Sequence, residues 1–264
     1  MCSGSTRPAL ALDRVVKRFS TYSAVEDVTM DVEAGTFVSI VGPSGCGKST
    51  LLNVIAGLLA PSGGSVEVFG DPLTGINRRA SYMFQQDALL PWKTALENIQ
   101  LGLILRGRNR NEALEDAKRW VERVGLRGFG DHYPYQLSGG MRKRVALAQC
   151  WIIQPDLILM DEPFSALDVH TRLRMESEIL HLWAGSGKTV IFVTHDLEEA
   201  ISLSDEVFLL SSGPGSRLVG RYPIDLVRPR SLIDMKADPR FHELYRNIWN
   251  DLRHEVLTSY ERTS

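Results

Sequence analysis

Several features that would each have announced a function class are missing from this 264-residue chain. No uninterrupted run of about 18 apolar residues occurs, so no membrane-spanning helix is expected and any membrane role must be peripheral. No basic segment followed by an apolar stretch opens the chain, so secretion is not expected. Cysteine is scarce: Cys2, Cys46 and Cys150 stand apart without metal-ligand spacing, which argues against a disulfide scaffold or a zinc site and suits a reducing, cytosolic setting. A basic surplus is absent as well. The net charge is −2 and the pI near 6.3, so nucleic acid is not indicated as a partner. The basic run Arg106-Gly107-Arg108-Asn109-Arg110 reads as a solvated turn between two helices. Low-complexity tracts are lacking, and 44% hydrophobic with 23% charged residues is globular composition for one sizeable α/β domain with embellishments.

What is present is an alternation of short apolar runs and helical patterns. Phe37 to Val41 precedes a helix from about Lys48; Leu157 to Met160 precedes one near Val169; Val190 to Thr194 precedes Leu197 to Leu203. Repeated strand-helix units predict a largely parallel, covered sheet. Ahead of them, Ala9 to Val16 and Val25 to Val32 alternate in polarity, which predicts an antiparallel β layer. A helical insertion is expected over about 87–155, with Asn111 to Val124 and Gly140 to Ile153 at helix spacing. After residue 220 a Pro-containing stretch ends the α/β pattern. An extension over 221–264 then carries Phe241, Leu244, Tyr245, Ile248, Trp249, Leu252 and Val256 on one helical stripe. Its polar face mixes signs, which favours packing on the parent domain over a membrane surface or a partner.

Gly42-Pro43-Ser44-Gly45-Cys46-Gly47-Lys48-Ser49-Thr50 satisfies G-x-x-x-x-G-K-[ST] and sits between a strand and an apolar helix, which is the context a phosphate-binding loop needs. Bare glycines let backbone N–H groups and a helix N-terminus face phosphates, Lys48 adds positive charge, and the Ser49 hydroxyl suits Mg²⁺. ATP with Mg²⁺ is the implied ligand. Gly185-Ser186-Gly187-Lys188-Thr189 imitates the end of the motif, but Leu182 takes the first glycine position and a strand follows, so it reads as a turn. Cys46 is either simply small enough to fit the loop or, as a thiol at a helix N-terminus where the pKa can be depressed, reactive, in which case alkylation should block ATP binding.

The apolar run Leu157 to Met160 ends in Asp161-Glu162, two carboxylates at a strand's carboxyl end, where ligands of open α/β sheets sit. Asp161 is the natural Mg²⁺ partner. Glu162, pointing the other way by strand alternation, would polarise the attacking water. His195, after the strand Val190 to Thr194, would bond the γ-phosphate.

Leu137-Ser138-Gly139-Gly140-Met141, lying between the loop and Asp161-Glu162, resembles the signature segment of the ABC transporter ATPases. The resemblance covers most of the chain. It implies the P-loop NTPase fold of that family: a mostly parallel core sheet, an antiparallel β layer, a helical subdomain and here a C-terminal helical extension. It further implies that Ser138, Gly139 and Gly140 contact ATP held by the opposite subunit, and that Ser165-Ala166-Leu167-Asp168 is the D-loop crossing the dimer interface. Gln85 resembles the Q-loop glutamine that touches Mg²⁺ and senses a permease. His195 matches the switch histidine, and Phe19 takes the place of the adenine-stacking aromatic, with Tyr22 the rival and a core role for Phe19 the alternative. Met141 stands where glutamine is commonest and Gln149 where an arginine often stands. The Met141 departure, the segment Gln85 to Trp92 and Arg228-Pro229-Arg230 resemble the nitrate, sulfonate and taurine importer branch.

The resemblance therefore implies an ATP hydrolase working as a head-to-tail homodimer on the cytoplasmic face of the plasma membrane. Integral-membrane permease subunits are its expected partners, and indirectly a solute-binding protein, with a small anionic solute as cargo. Leu90 and Trp92 are expected either to receive a permease helix or to lie in the core. Two rivals are a soluble ABC ATPase without a permease and a P-loop small-molecule kinase. The kinase leaves Leu137 to Met141 and His195 without a role.

Overall fold

The computed structural model describes residues 7–165 and 167–263, so Cys2 and Ala166 lie outside the described residues. Leu10–Phe19 (β1) and Tyr22–Val32 (β2) bury alternate apolar residues and pair antiparallel, with Leu10 opposite Val32 and Phe19 opposite Tyr22. Phe37–Val41 (β3) is buried at every position, as a central parallel strand covered on both faces must be. It leads through the phosphate loop into Lys48–Ile55 (α1).

The antiparallel layer is not confined to residues before that loop. Gly63–Val68 (β4) and Asp71–Pro72 (β5) complete it in the order β2-β1-β4-β5. Their glycine-rich start and two-residue partner carry too little alternation to read as strands. Ala80–Met83 (β6) returns the chain to the main sheet.

Three helices occupy the expected insertion: Ala95–Leu105 (α2), Arg110–Arg123 (α3) and Gly139–Ile152 (α4). Thr94 and Glu97 close a reciprocal capping box at the start of α2, and Arg106 to Asn109 form the turn before α3. The buried Asn98 amide bonds Leu90, Lys93 and Thr94, holding the segment that displays Trp92.

Leu157–Asp161 (β7), Val169–Trp183 (α5), Thr189–Val193 (β8), Leu197–Leu203 (α6) and Glu206–Leu210 (β9) continue the α/β alternation. The stretch 184–188, with its imitation of the phosphate motif, is the connection between α5 and β8, as expected. Leu218–Pro223 (β10) pairs antiparallel with β9 and runs across residue 220, the expected start of the extension. Among the described residues the main sheet has the order β10-β9-β3-β8-β7-β6, parallel except for its β10 edge.

Leu232–Met235 (α7) and Pro239–Thr263 (α8) form the extension. Phe241, Ile248 and Leu252 are buried against Leu197, Ile201 and Leu209, with Leu244, Tyr245 and Val256 partly covered. The stripe packs on the parent domain, and Trp249 at its border stays 44% exposed.

Candidate functional site

In the order β3-β8-β7-β6 the carboxyl ends of four parallel strands stand side by side, and the segments that follow them carry residues 42–50, 194–196, 161–162 and 84–86. Residues scattered over more than 150 positions of sequence are thereby collected at one edge.

The phosphate loop is tight. A Cβ at Gly42 would lie 2.8 Å from the Leu210 carbonyl, and one at Gly47 2.8 Å from Val25 Cγ1 and 2.9 Å from the Ala24 carbonyl, with φ +93°. Ser44 and Gly45 face outward at the crest, while Pro43 is buried beside Gly42. Lys48 folds back over the loop, its Nζ donating to the carbonyls of Gly42 at 2.9 Å and Pro43 at 3.0 Å. Thr50 follows within the first turn of α1 and is half-buried.

Cys46 corrects an expectation. Its side chain is fully buried, packed with the β-layer core, and burial pushes the thiol up despite the neighbouring Lys48 charge. Position at a helix N-terminus lowers a thiol's pKa only where the sulfur stays solvated, so Cys46 serves the loop through its backbone and is not a reactive thiol. Cys150 is likewise buried, and its thiol is pushed up to about 12.

Asp161 and Glu162 diverge. Ser49 Oγ donates to Asp161 Oδ1 at 2.9 Å, and the Tyr82 hydroxyl donates to Oδ2 at 3.3 Å. Burial raises the Asp161 carboxyl, against the lowering effect of those two bonds. Glu162 accepts at Oε2 from Gln85 Nε2 at 3.4 Å and from His195 Nδ1 at 3.1 Å. A carboxylate only accepts, so Nδ1 is the donor of this contact, and the ring is more than half exposed. The divergence comes from Glu162 leaving the strand at φ +42°, a left-handed conformation rather than the next step of the pleat. Its N–H bonds the Val193 carbonyl at 2.9 Å and its carbonyl accepts from Ser165, contacts that hold the strained backbone in place.

The hydroxyl of Ser49 beside a carboxylate supplies hard oxygen donors of the kind Mg²⁺ prefers. Among the described residues no group of three or more His, Cys, Asp or Glu is placed to hold a metal. The set therefore fits a cation that takes its remaining oxygens from phosphate and water. Gln85 faces Glu162 rather than Asp161.

Ser138 caps α4, its hydroxyl accepting from the Met141 amide at 3.3 Å. Gly140 lies against α5, where a Cβ would come within 2.8 Å of Thr171 Cγ2. Asp168 caps α5, accepting from the His170 and Thr171 amides, and hydrogen bonding from the Thr171 side chain, and then from those amides, lowers its carboxyl. Among the described residues no hydrogen bond or ion pair joins Ser138, Gly139, Gly140 or Asp168 to the phosphate loop. Phe19 is 44% exposed at the β1–β2 turn under Lys17 Nζ, so it is not a core residue; Tyr22, its cross-strand partner, is as exposed. A Cβ at Gly213 would lie 3.4 Å from the Gly45 carbonyl and 3.7 Å from the Tyr22 hydroxyl, which places Tyr22 near the loop crest.

Sequence reasoning passed over Tyr82, Lys143 and Asp87. Lys143 is buried on α4, bonds the Gln85 carbonyl and pairs with Asp87 at 3.1 Å, while Arg142 pairs with the same carboxylate at 3.0 Å. These contacts tie α4 to the Gln85 segment. A basic pair inside a helix gave no signal of it. Gln149 bonds the Asn98 carbonyl at 3.0 Å, joining α4 to α2.

Residues 25–165 match the model of the family described as ABC transporter. The chain belongs to the ABC transporter family. An uncharacterized ABC transporter ATP-binding protein of Methanocaldococcus jannaschii is 45% identical over 236 residues, 89% of this chain and 86% of that protein. A taurine import ATP-binding protein of Yersinia pestis is 41% identical, covering 83% of this chain and 87% of that one. A nitrate import ATP-binding protein of Synechococcus elongatus is 39% identical over 93% of this chain, which spans 38% of that longer protein. Among solved structures, a dimeric ATP-binding cassette in a post-hydrolysis state with ADP and Pi superposes with a TM-score of 0.73 at 32% identity, over 83% of this chain and 100% of that one. The fold is that of the ABC ATPases, and this ABC ATP-binding subunit shares a family whose activity is ATP hydrolysis. No helix among the described residues is long and apolar enough to cross a membrane.

Proposed function

We propose that the chain is the ATP-hydrolysing subunit of an importer for a small anionic solute of the nitrate, sulfonate or taurine type. The observation that carries the catalytic part is the convergence of Glu162, His195 and Gln85 beside the Lys48 loop and the Ser49–Asp161 pair. Residues 1–220 are the ATP-binding unit, with the helical insertion at about 87–155, and 221–264 its extension. Gly42 to Thr50 cradle the phosphates of ATP, and Phe19 or Tyr22 stacks on the base. Ser49 and Asp161 would hold Mg²⁺, with Gln85 joining them by turning from Glu162, and the ion when bound would neutralise charge on the phosphate oxygens.

Glu162 accepts the proton of the attacking water, and His195, oriented through Nδ1 by Glu162, bonds the γ-phosphate by donating from Nε2, an arrangement in which both ring nitrogens carry a proton. Ser138, Gly139, Gly140 and Asp168 belong to the site of a second, head-to-tail copy. The dimer sits peripherally on the cytoplasmic face of the membrane and docks to permease subunits. Trp92, 70% exposed on the segment held by Asn98, is the best-placed apolar contact for a permease helix. The importer-named relatives support the solute class; the permease and a solute-binding protein would choose the cargo.

Glu162→Gln tests the chemistry. The amide keeps the shape and loses the proton acceptor, so nucleotide affinity should persist while turnover falls by at least about a hundredfold. Steady-state hydrolysis at the wild-type rate would remove Glu162 from its role.

A further inference from the structure

Among the described residues the His195 ring has a single polar partner, Glu162, yet its two neighbours in the chain are firmly held. Thr194 Oγ1 donates to the buried Glu199 Oε2 at 2.6 Å and accepts from the Asp196 amide at 3.0 Å. Asp196 Oδ1 caps α6 by accepting from the amides of Glu198 and Glu199. One guanidinium then gathers these groups. Arg172 Nη1 lies 3.1 Å from Asp196 Oδ2 and 3.5 Å from Glu199 Oε1. Its Nη2 donates at 3.5 Å to the carbonyl of Leu167, the residue before Asp168. Among the described residues Arg172 Nε is buried without a partner, so the guanidinium is held through Nη1 and Nη2. The group borders a cavity of about 170 Å³ lined also by Glu176, Glu198 and Lys236.

We propose that Arg172 is a positioning residue that couples the loop carrying Leu167 and Asp168 to the segment Thr194 to Asp196, and so sets the place of His195 against Glu162. A planar fork is what this job needs: one nitrogen serves the carboxylates flanking the histidine and the other serves the opposite loop, at fixed separation. When a second copy meets Asp168, any displacement of that loop is passed through the guanidinium to Asp196. Among the described residues no hydrogen bond or ion pair joins Arg172 to the phosphate loop, Glu162 or His195. This rests on the role of His195 proposed above.

The test is a double-mutant cycle in the full chain, read by single-turnover ATP hydrolysis, ATP affinity and melting temperature. Arg172→Gln should slow hydrolysis about tenfold with ATP affinity unchanged, since a misplaced group costs rate rather than binding. On a His195→Ala background the same substitution should have no further effect, because its influence runs through the histidine. If Arg172→Gln does not fold, Arg172→Lys takes its place: it keeps the charge but cannot span both loops, and should also be slow. A wild-type rate in the Arg172 variant with a slow His195→Ala overturns the proposal for Arg172 alone, and so does an undiminished effect on the His195→Ala background. A wild-type rate in His195→Ala overturns the histidine role beneath it.

Discussion

Glu176 and Glu199 are both buried at 5% exposure in the cavity beside α5 and α6. Burial, with repulsion from nearby carboxylates, pushes both carboxyls from 4.5 up to about 7. A raised carboxyl pKa means that the folded chain binds the proton more tightly than the unfolded chain between those two values. Stability is therefore greatest below the unfolded pKa and falls as pH rises through the window toward 7. Melting temperature should decline between about pH 5 and about pH 8. Glu176→Gln should flatten that decline and raise stability at the upper end by on the order of 1–3 kcal/mol. Equal pH slopes for the two proteins would show that Glu176 is ionised at no cost.

At the scale of elements, α8 is the part whose role depends most on packing. Ile248 is fully buried between the extension and α6, while Tyr222 donates to Asp251 at 2.6 Å and the Ser212 amide to Glu255 at 2.8 Å. Truncation before Asp238 should lower the melting temperature, and Ile248→Ala alone should cost about 2–4 kcal/mol by leaving a cavity. A truncated chain that melts like the full one but no longer binds a partner would reverse the assignment from packing to docking. The edge strands follow the same logic of context. β6 and β10 carry no clean polar–apolar alternation in sequence, yet both alternate in burial, and each is a strand because β7 or β9 offers it a ladder.

For the whole molecule, the placement of Ser138 matters most. It is exposed at the start of α4, and its hydroxyl is occupied by the Met141 amide rather than by anything in the phosphate loop. On the reading proposed above, one copy would hold only part of each site, which a head-to-tail pair would complete. Hydrolysis per chain should rise with protein concentration and level off as dimers saturate, read as initial rates over a dilution series. A rate independent of concentration in a chain shown to be monomeric would contradict the shared site.

The phosphate loop, the parallel core strands, the amphipathic C-terminal stripe and Asp161-Glu162 were legible in the sequence because each rests on local rules. A glycine pattern sets a turn, a fully apolar run marks a covered strand, and a helical period marks a face. The antiparallel strands after the loop, the fate of Cys46 and the partners of Lys143, Arg172 and Glu199 were not legible. Those depend on which segments meet across long separations. Only the strand order β3-β8-β7-β6 brings His195 onto Glu162, and only the β layer over the loop decides that the Cys46 sulfur is buried and inert.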